Sequence, residues 1–261
     1  EHPEAGAKKA AIIKKIEHGQ DPEYALSRYV SRRIVRAHLA TMKRLGIAYD
    51  VLPCESTILH LKFWEKAFDL LKERQAIYLA GQGENKGCWV MRLEEVEERE
   101  KVIVRSDGTV TYVGKDIAYQ LWKFGLLGRD FYYEPFTEEA GRTLWISTST
   151  PTPGGPCFGQ ASKVYNVIDT RQSYLQKVVV QGLRSLKYSA QAAKSVHFSY
   201  EMVALSPKSL KELGYAASEE EKERSFLEVS GRKGLGVKAD DLLDRLEDKA
   251  RAEIDKRNPA L

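Results

Sequence analysis

The sequence predicts an α/β protein: a parallel sheet with helical crossovers, preceded by a helical and small-β region. Three observations carry this. Residues 164–168 and 196–202 are strand-length runs rich in β-branched and aromatic side chains, and the first reads as a buried strand. Between them, residues 171–186 place Val178, Val179, Leu183 and Leu186 on one side of a helix. A strand–helix–strand order implies parallel strands joined by a right-handed crossover. Sheets of this kind bind ligands beyond the carboxyl ends of their strands. Those ends fall at Asp169 and Gln172 for the first strand and at Glu201 to Val203 for the second.

The elements before the sheet follow from local signals. Asp21-Pro22 is a helix start, and Leu26, Val30, Ile34, Ala37 and Leu45 continue at helical spacing to a stop at Gly46. Arg28, Arg32, Arg33, Arg36, Lys43 and Arg44 share this stretch with no acidic residue between Arg28 and Arg44. It is either a solvated helix face or a surface for a phosphate backbone. A second helix is predicted over 56–72, with Leu61, Trp64, Phe68 and Leu71 as its core stripe. Strands follow at 76–79, 88–93 and 101–105, and the charge run 94–100 reads as an exposed loop. Asp107-Gly108 is a hairpin signal, with strand continuing over 109–113 and helical periodicity from Lys115. Residues 148–159, TSTPTPGGPCFG, form a loop. Near the end, Ser230-Gly231-Arg232-Lys233-Gly234 is a basic loop. It precedes a helix carrying Leu242, Leu243, Leu246 and Ala250 as its stripe.

Composition excludes several classes. With 261 residues, 43% of them hydrophobic, the chain can bury a core. The net charge of +4 permits a nucleic-acid partner without requiring one. Cys54, Cys88 and Cys157 are far apart and odd in number, which argues against a zinc ribbon or a disulfide framework and for reduced thiols in the cytoplasm. No apolar run is long enough to span a bilayer, and the N-terminus lacks a signal-peptide core. The 81–87 glycine stretch is not a GxxxxGK[ST] loop, and HExxH and GxSxG are absent.

Three features bear on chemistry. Tyr112 and Asp116 are four residues apart where strand passes to helix, so a phenol and a carboxylate converge there; a guanidinium presents paired donors to such a carboxylate. The alternative is a capping aspartate beside a core tyrosine. Gln172 follows the strand 164–168 and offers a neutral amide to a polar substrate, or is an ordinary first-turn residue. Ser230 to Lys233 place two cations on a glycine-flanked loop, suited to a polyphosphate leaving group or to solvent.

In this order the segments RSDGTVTYVGKDIAYQLWKFGLL, YNVIDTRQSYLQKVV, VHFSYEMVALSP and VSGRKGLGVKADDLL, with DVLPCESTILHLKFWEKAFDLLKE before them, closely resemble class I arginyl-tRNA synthetases. The likeness runs from about Arg32 to about Ala250 and has SGRKG in place of the family's usual KMSKS. It implies the second half of a Rossmann-type catalytic domain. Residues 1–104 would be a connecting insertion, 105–218 that second half, and 219–261 the signature loop and the following helix. It also implies formation of arginyl-adenylate from arginine and ATP, with Mg2+ accompanying the ATP and no tightly bound metal, and then transfer to tRNA(Arg). By the same resemblance Tyr112, Asp116 and Gln172 bind arginine, Met202 and Val203 flank adenine, and Ser230, Arg232 and Lys233 act at the ATP phosphates, Lys233 on the departing pyrophosphate. Val229 stands where the family usually has methionine. The family's HIGH motif and anticodon-binding domain are absent from these 261 residues. The expectation is therefore a ligase segment with an upstream HIGH-containing half and a downstream anticodon-binding domain in the parent protein, inactive by itself. The second reading is a non-catalytic tRNA- or protein-binding module derived from a synthetase.

Overall fold

The computed structural model describes residues 3–93, 100–139, 141–202, 204–215, 224–228 and 237–258. Residues 94–99 of the charge run, Val203, Val229 and the Ser230 to Gly234 loop lie outside the described residues. The chain divides into two compact units, residues 1–31 with 49–200 and residues 32–48 with 201–261.

The first unit begins with α1 (Pro3–Glu17) and the start of α2 (Glu23–Arg44). The predicted second helix is two helices, α3 (Glu55–His60) and α4 (Phe63–Glu73), broken where Lys62 takes the left-handed conformation with φ 55°. The break rotates the apolar stripe. Phe63, Ala67 and Leu71 are fully buried, while Leu61, Trp64 and Phe68 pack at the margin.

The small β region is an antiparallel sheet of β2 (Tyr78–Leu79), β3 (Trp89–Arg92) and β4 (Glu100–Val104) in that order. The Asp107-Gly108 turn forms as expected: Gly108 has φ 84°, and the Arg105 amide donates to the Thr109 carbonyl at 2.9 Å. Beyond it the predicted strand over 109–113 reduces to one bridge, Val110 to Val104. The helix α5 (Tyr112–Lys123) starts three residues earlier than its periodicity suggested.

α5 is the central helix of this unit. Ile117, Ala118 and Leu121 are fully buried, each large one contributing roughly 1.5–3 kcal/mol. Two glycines allow its close packing. A Cβ on Gly114 would lie 2.8 Å from the Trp64 ring of α4, and one on Gly182 would lie 3.1 Å from Ile117.

A hairpin that the sequence reading left unassigned follows. β5 (Tyr132–Glu139) pairs antiparallel with β6 (Arg142–Thr148), and β6 pairs parallel with β1 (Val51–Leu52). Below it, Asp130 accepts hydrogen bonds from Trp122 Nε1 at 2.7 Å and from the Tyr133 hydroxyl at 2.6 Å. The Cys157 thiol also donates to it at 3.3 Å, and the Asp130 carboxylate holds that thiol's pKa above its ordinary value.

Residues 149–163 contain no helix or strand, as the Pro/Gly content predicts. The end of this loop is fastened to the end of α5: the Ala161 amide donates to the Lys123 carbonyl at 2.8 Å. A Cβ on Gly159, which has φ 85°, would come within 2.8 Å of the Trp122 carbonyl.

The predicted parallel unit forms. β7 (Val164–Asp169) and β8 (Ser195–Tyr200) are parallel and in register from Val164–Ser195 to Asp169–Tyr200. A 3-10 turn (Thr170–Gln172), α6 (Ser173–Ser185) and α7 (Ser189–Ala193) connect them. The expectation of a fully buried strand at 164–168 is corrected. Val164 and Asn166 are buried, but Tyr165 and Val167 are exposed, as are Phe198 and Tyr200 beside them. α5 meets the covered face of the pair at Asn166 and Ser195, and the other face is open.

In the second unit, β9 (Ala204–Leu205) pairs with β10 (Leu227–Glu228). With α8 (Pro207–Glu212) they bury Leu210 and Leu227. The last helix, α9 (Ala239–Arg257), is longer than predicted, and its apolar stripe is not buried; Leu246 is exposed. The α2 stripe is likewise exposed at Leu26, Val30 and Ile34. Arg44, at the end of α2, pairs with Asp240 at 2.8 Å and with Asp244 at 2.6 Å.

Candidate functional site

The candidate site is built on one stripe of α5, exposed at its start and partly buried further on. Tyr112, Asp116, Tyr119 and Lys123 recur at intervals of four, three and four, so they lie along one side of the helix. The start of α5 is fixed by the Thr111 hydroxyl, which donates to the carbonyls of Ile103 at 3.0 Å and Val102 at 3.2 Å. Tyr112 is 78% exposed, and its ring already has a cation over it, Lys115 Nζ at 5.9 Å from the ring centre. Asp116 sits one turn further on and is half-buried. Burial raises its carboxyl above the ordinary range; Lys123 opposes that rise and Glu55 adds to it.

Glu55 is a residue the sequence reading did not single out. It opens α3, and the place of α3 is set by β6: the Cys54 amide donates to Ser147 Oγ at 2.7 Å, and that hydroxyl donates to Thr57 Oγ1 at 3.3 Å. Glu55 also meets Lys115 at 3.5 Å. Two carboxylates near the start of α5 thus act on one another, an arrangement suited to a planar cation with several donors. No sequence spacing could show this, because 61 residues separate Glu55 from Asp116. The opposite end of the stripe was also missed. Lys123 Nζ donates to Asn166 Oδ1 of β7 at 2.8 Å and lies 4.6 Å from the Tyr119 ring centre. Burial lowers the Lys123 pKa, with Asp116 opposing, and pushes the Tyr119 hydroxyl up to about 12.

Gln172 closes the 3-10 turn after β7 and is exposed. Its neighbour Asp169 is engaged within the turn, accepting from the Arg171 amide at 2.8 Å and from the Arg171 guanidinium, which holds its pKa down. His197 Nε2 donates to the Ile168 carbonyl at 2.9 Å, stitching the carboxyl ends of the two strands. Met202 follows β8 and is 40% exposed. Tyr112, Asp116 and Gln172 lie in the first unit; Met202 lies in the second. Val203, Ser230, Arg232 and Lys233 are outside the described residues.

No family model matches the chain. Curated relatives do. It is 32% identical to the arginine–tRNA ligase of Thermococcus kodakarensis and 35% identical to that of Pyrococcus abyssi, in both cases over its whole length and over 39% and 38% of theirs. The solved arginyl-tRNA synthetase of Thermus thermophilus superposes on 99% of the chain with a TM-score of 0.75 and 30% identity, covering 40% of that structure. The chain is therefore a homologue of class I aminoacyl-tRNA synthetases. Among them, it corresponds to a segment of arginine–tRNA ligases, and it spans about two fifths of the length of the relatives it matches.

Proposed function

We propose that this chain is part of an arginine–tRNA ligase that forms arginyl-adenylate from arginine and ATP and then transfers arginine to tRNA(Arg). The observation that carries the reading is homology over the whole of this chain, joined to a helix that carries an exposed Tyr112 and a half-buried Asp116 on one side. In this reading the arginine guanidinium lies against Asp116, with Glu55 as a second carboxylate and the Tyr112 ring as a face. Gln172 meets the amino-acid end. Met202 and Val203 flank adenine. Ser230, Arg232 and Lys233 act at the phosphates, where Mg2+ comes with ATP; a hard cation of that kind is commonly held by substrate phosphates and few carboxylates. Residues 1–104, 105–218 and 219–261 then serve as connecting insertion, second catalytic half, and signature loop with its helix. The reaction is placed in the cytoplasm, a placement compatible with the described helices, none of which is long and apolar enough to cross a membrane.

The test is arginine-dependent exchange of pyrophosphate into ATP by the intact protein that contains this chain, with Lys233→Ala beside it. A cation that follows charge onto the leaving group acts in the transition state, so the variant should slow exchange by about 10²-fold with little change in arginine binding. Exchange that ignores arginine, or a Lys233→Ala variant at the normal rate, would overturn the reading or the role of Lys233 respectively.

A further inference from the structure

Asp116 can recognise a guanidinium only if α5 is held at a fixed angle to the strands beside it. Four side-chain contacts set that angle. At the N-terminal end, Thr111 makes the two carbonyl contacts described above. At the C-terminal end, Gln120 Nε2 donates to Ser195 Oγ of β8 at 2.9 Å, and Lys123 Nζ donates to Asn166 Oδ1 of β7 at 2.8 Å. Gln120 and Asn166 are both buried, at 3% and 6% exposure. Lysine is a costly choice for such a place, because burial opposes its charge and its stem is flexible. An apolar side chain would pack there without that cost. What lysine adds is a directional, charge-assisted bond to one named acceptor on β7.

We propose that Lys123 is a positioning residue for arginine: through Asn166 it fixes the tilt of α5 and so sets where Asp116 stands relative to β7 and Gln172. Lys123 is seven residues from Asp116 on the same stripe, about 10 Å along the helix axis. Loosening that end turns a small tilt into a displacement on the order of 1 Å at the carboxylate, and a misplacement of that size can cost up to about 10²-fold. The proposal rests on the arginine–tRNA ligase reading.

Asn166→Leu is the decisive variant. It removes the acceptor and leaves the charges of Lys123 and Asp116 in place, so the anchor is separated from any direct effect of charge on charge. In the intact protein, with arginine-dependent pyrophosphate exchange as readout, Asn166→Leu should raise the KM for arginine about tenfold. The KM for ATP should stay within about twofold. Asn166→Asp keeps an acceptor for Lys123 and should restore the arginine KM to within about twofold of the parent. Lys123→Met should behave like Asn166→Leu. An unchanged arginine KM in Asn166→Leu overturns the proposal, as does a parallel rise in the KM of arginine and ATP, or a failure of Asn166→Asp to rescue. Loss of cooperative unfolding in both Asn166→Leu and Lys123→Met would make the contact merely structural and also overturn it. A parent protein with no arginine-dependent exchange even with tRNA(Arg) present sinks the ligase reading and this role together. A parent that exchanges normally beside an unaffected Asn166→Leu sinks the role alone.

Discussion

In the proposed site, Asp116 would serve recognition at the expense of stability. Its carboxyl is raised by burial, against the help of Lys123 and with Glu55 adding to the rise. A carboxyl whose folded pKa is raised favours the protonated form in the folded state. Its contribution to stability is present below the ordinary carboxylate pKa and is lost as the pH climbs through the folded value. At neutral pH the ionised Asp116 therefore destabilises the fold, and Asp116→Asn should raise the melting temperature at pH 7 and have no such effect near about pH 3. The same change would remove a charged acceptor from the proposed guanidinium site. A lost charge-assisted bond costs roughly 1.5–3 kcal/mol, so arginine affinity should fall about tenfold to a hundredfold. Calorimetric melts at the two pH values and an arginine titration check both halves. A variant that melts lower at pH 7 and binds arginine normally would make Asp116 a structural residue.

At the scale of elements, six of the described helices end in the same way. After α1, α2, α5 and α8 a glycine takes positive φ, at Gly19, Gly46, Gly125 and Gly214. The next amide in each case, that of Gln20, Ile47, Leu126 or Tyr215, reaches back to the carbonyl of Lys15, Met42, Leu121 or Leu210. α4 and α6 close identically, with the Ala76 amide on Leu71 and the Tyr188 amide on Leu183, but their left-handed residues are Gln75 and Lys187. A side chain in that conformation costs about 1–2 kcal/mol, part of which glycine returns in unfolded-chain entropy. Gln75→Gly and Lys187→Gly should each stabilise the protein by about 0.5–1 kcal/mol in denaturant titrations, and a loss of stability in either would refute the argument. The same residues explain what was legible. Gly46 announced the end of α2, whereas nothing in the letters marks Lys62 as the break between α3 and α4. The β5–β6 hairpin escaped notice because its alternation is interrupted. The register shifts between Pro135 and Thr137, so Tyr133 and Phe136 are both buried although they are three residues apart.

For the whole molecule, the β7–β8 pair marks the limit of reading one sequence. Valine-rich runs in parallel strands are normally covered on both faces, which is why 164–168 read as buried. Here Tyr165, Val167, Phe198 and Tyr200 form an apolar face open to solvent, in a chain that corresponds to about two fifths of its relatives. A patch of this kind draws hydrophobic probes and promotes association. The 261-residue chain should enhance the emission of anilinonaphthalene sulfonate, and Val167→Ser with Phe198→Ser should remove about half of that enhancement or more. Because both side chains are already exposed, stability should move by only about 0.5 kcal/mol each. An undiminished signal would place the probe elsewhere. Charge shows the complementary limit. The basic run of α2 left two readings open, and the pairing of Arg44 with Asp240 and Asp244 depends on residues nearly two hundred positions away.

The stacking of Tyr119 on Trp122, with ring centres 5.1 Å apart and planes 8° from parallel, has an optical consequence. The indole is 5% exposed, and its nitrogen donates to the Asp130 carboxylate. Its emission thus depends on a phenol on one side and a carboxylate at its edge, both fixed by the attitude of α5. Replacing Trp64, Trp89 and Trp145 with phenylalanine would leave one chromophore on the helix that carries Asp116. The molecule then contains its own fluorescent gauge: if the proposed site on α5 seats a guanidinium, light emitted from that helix would follow it in real time, with no dye attached and no turnover needed.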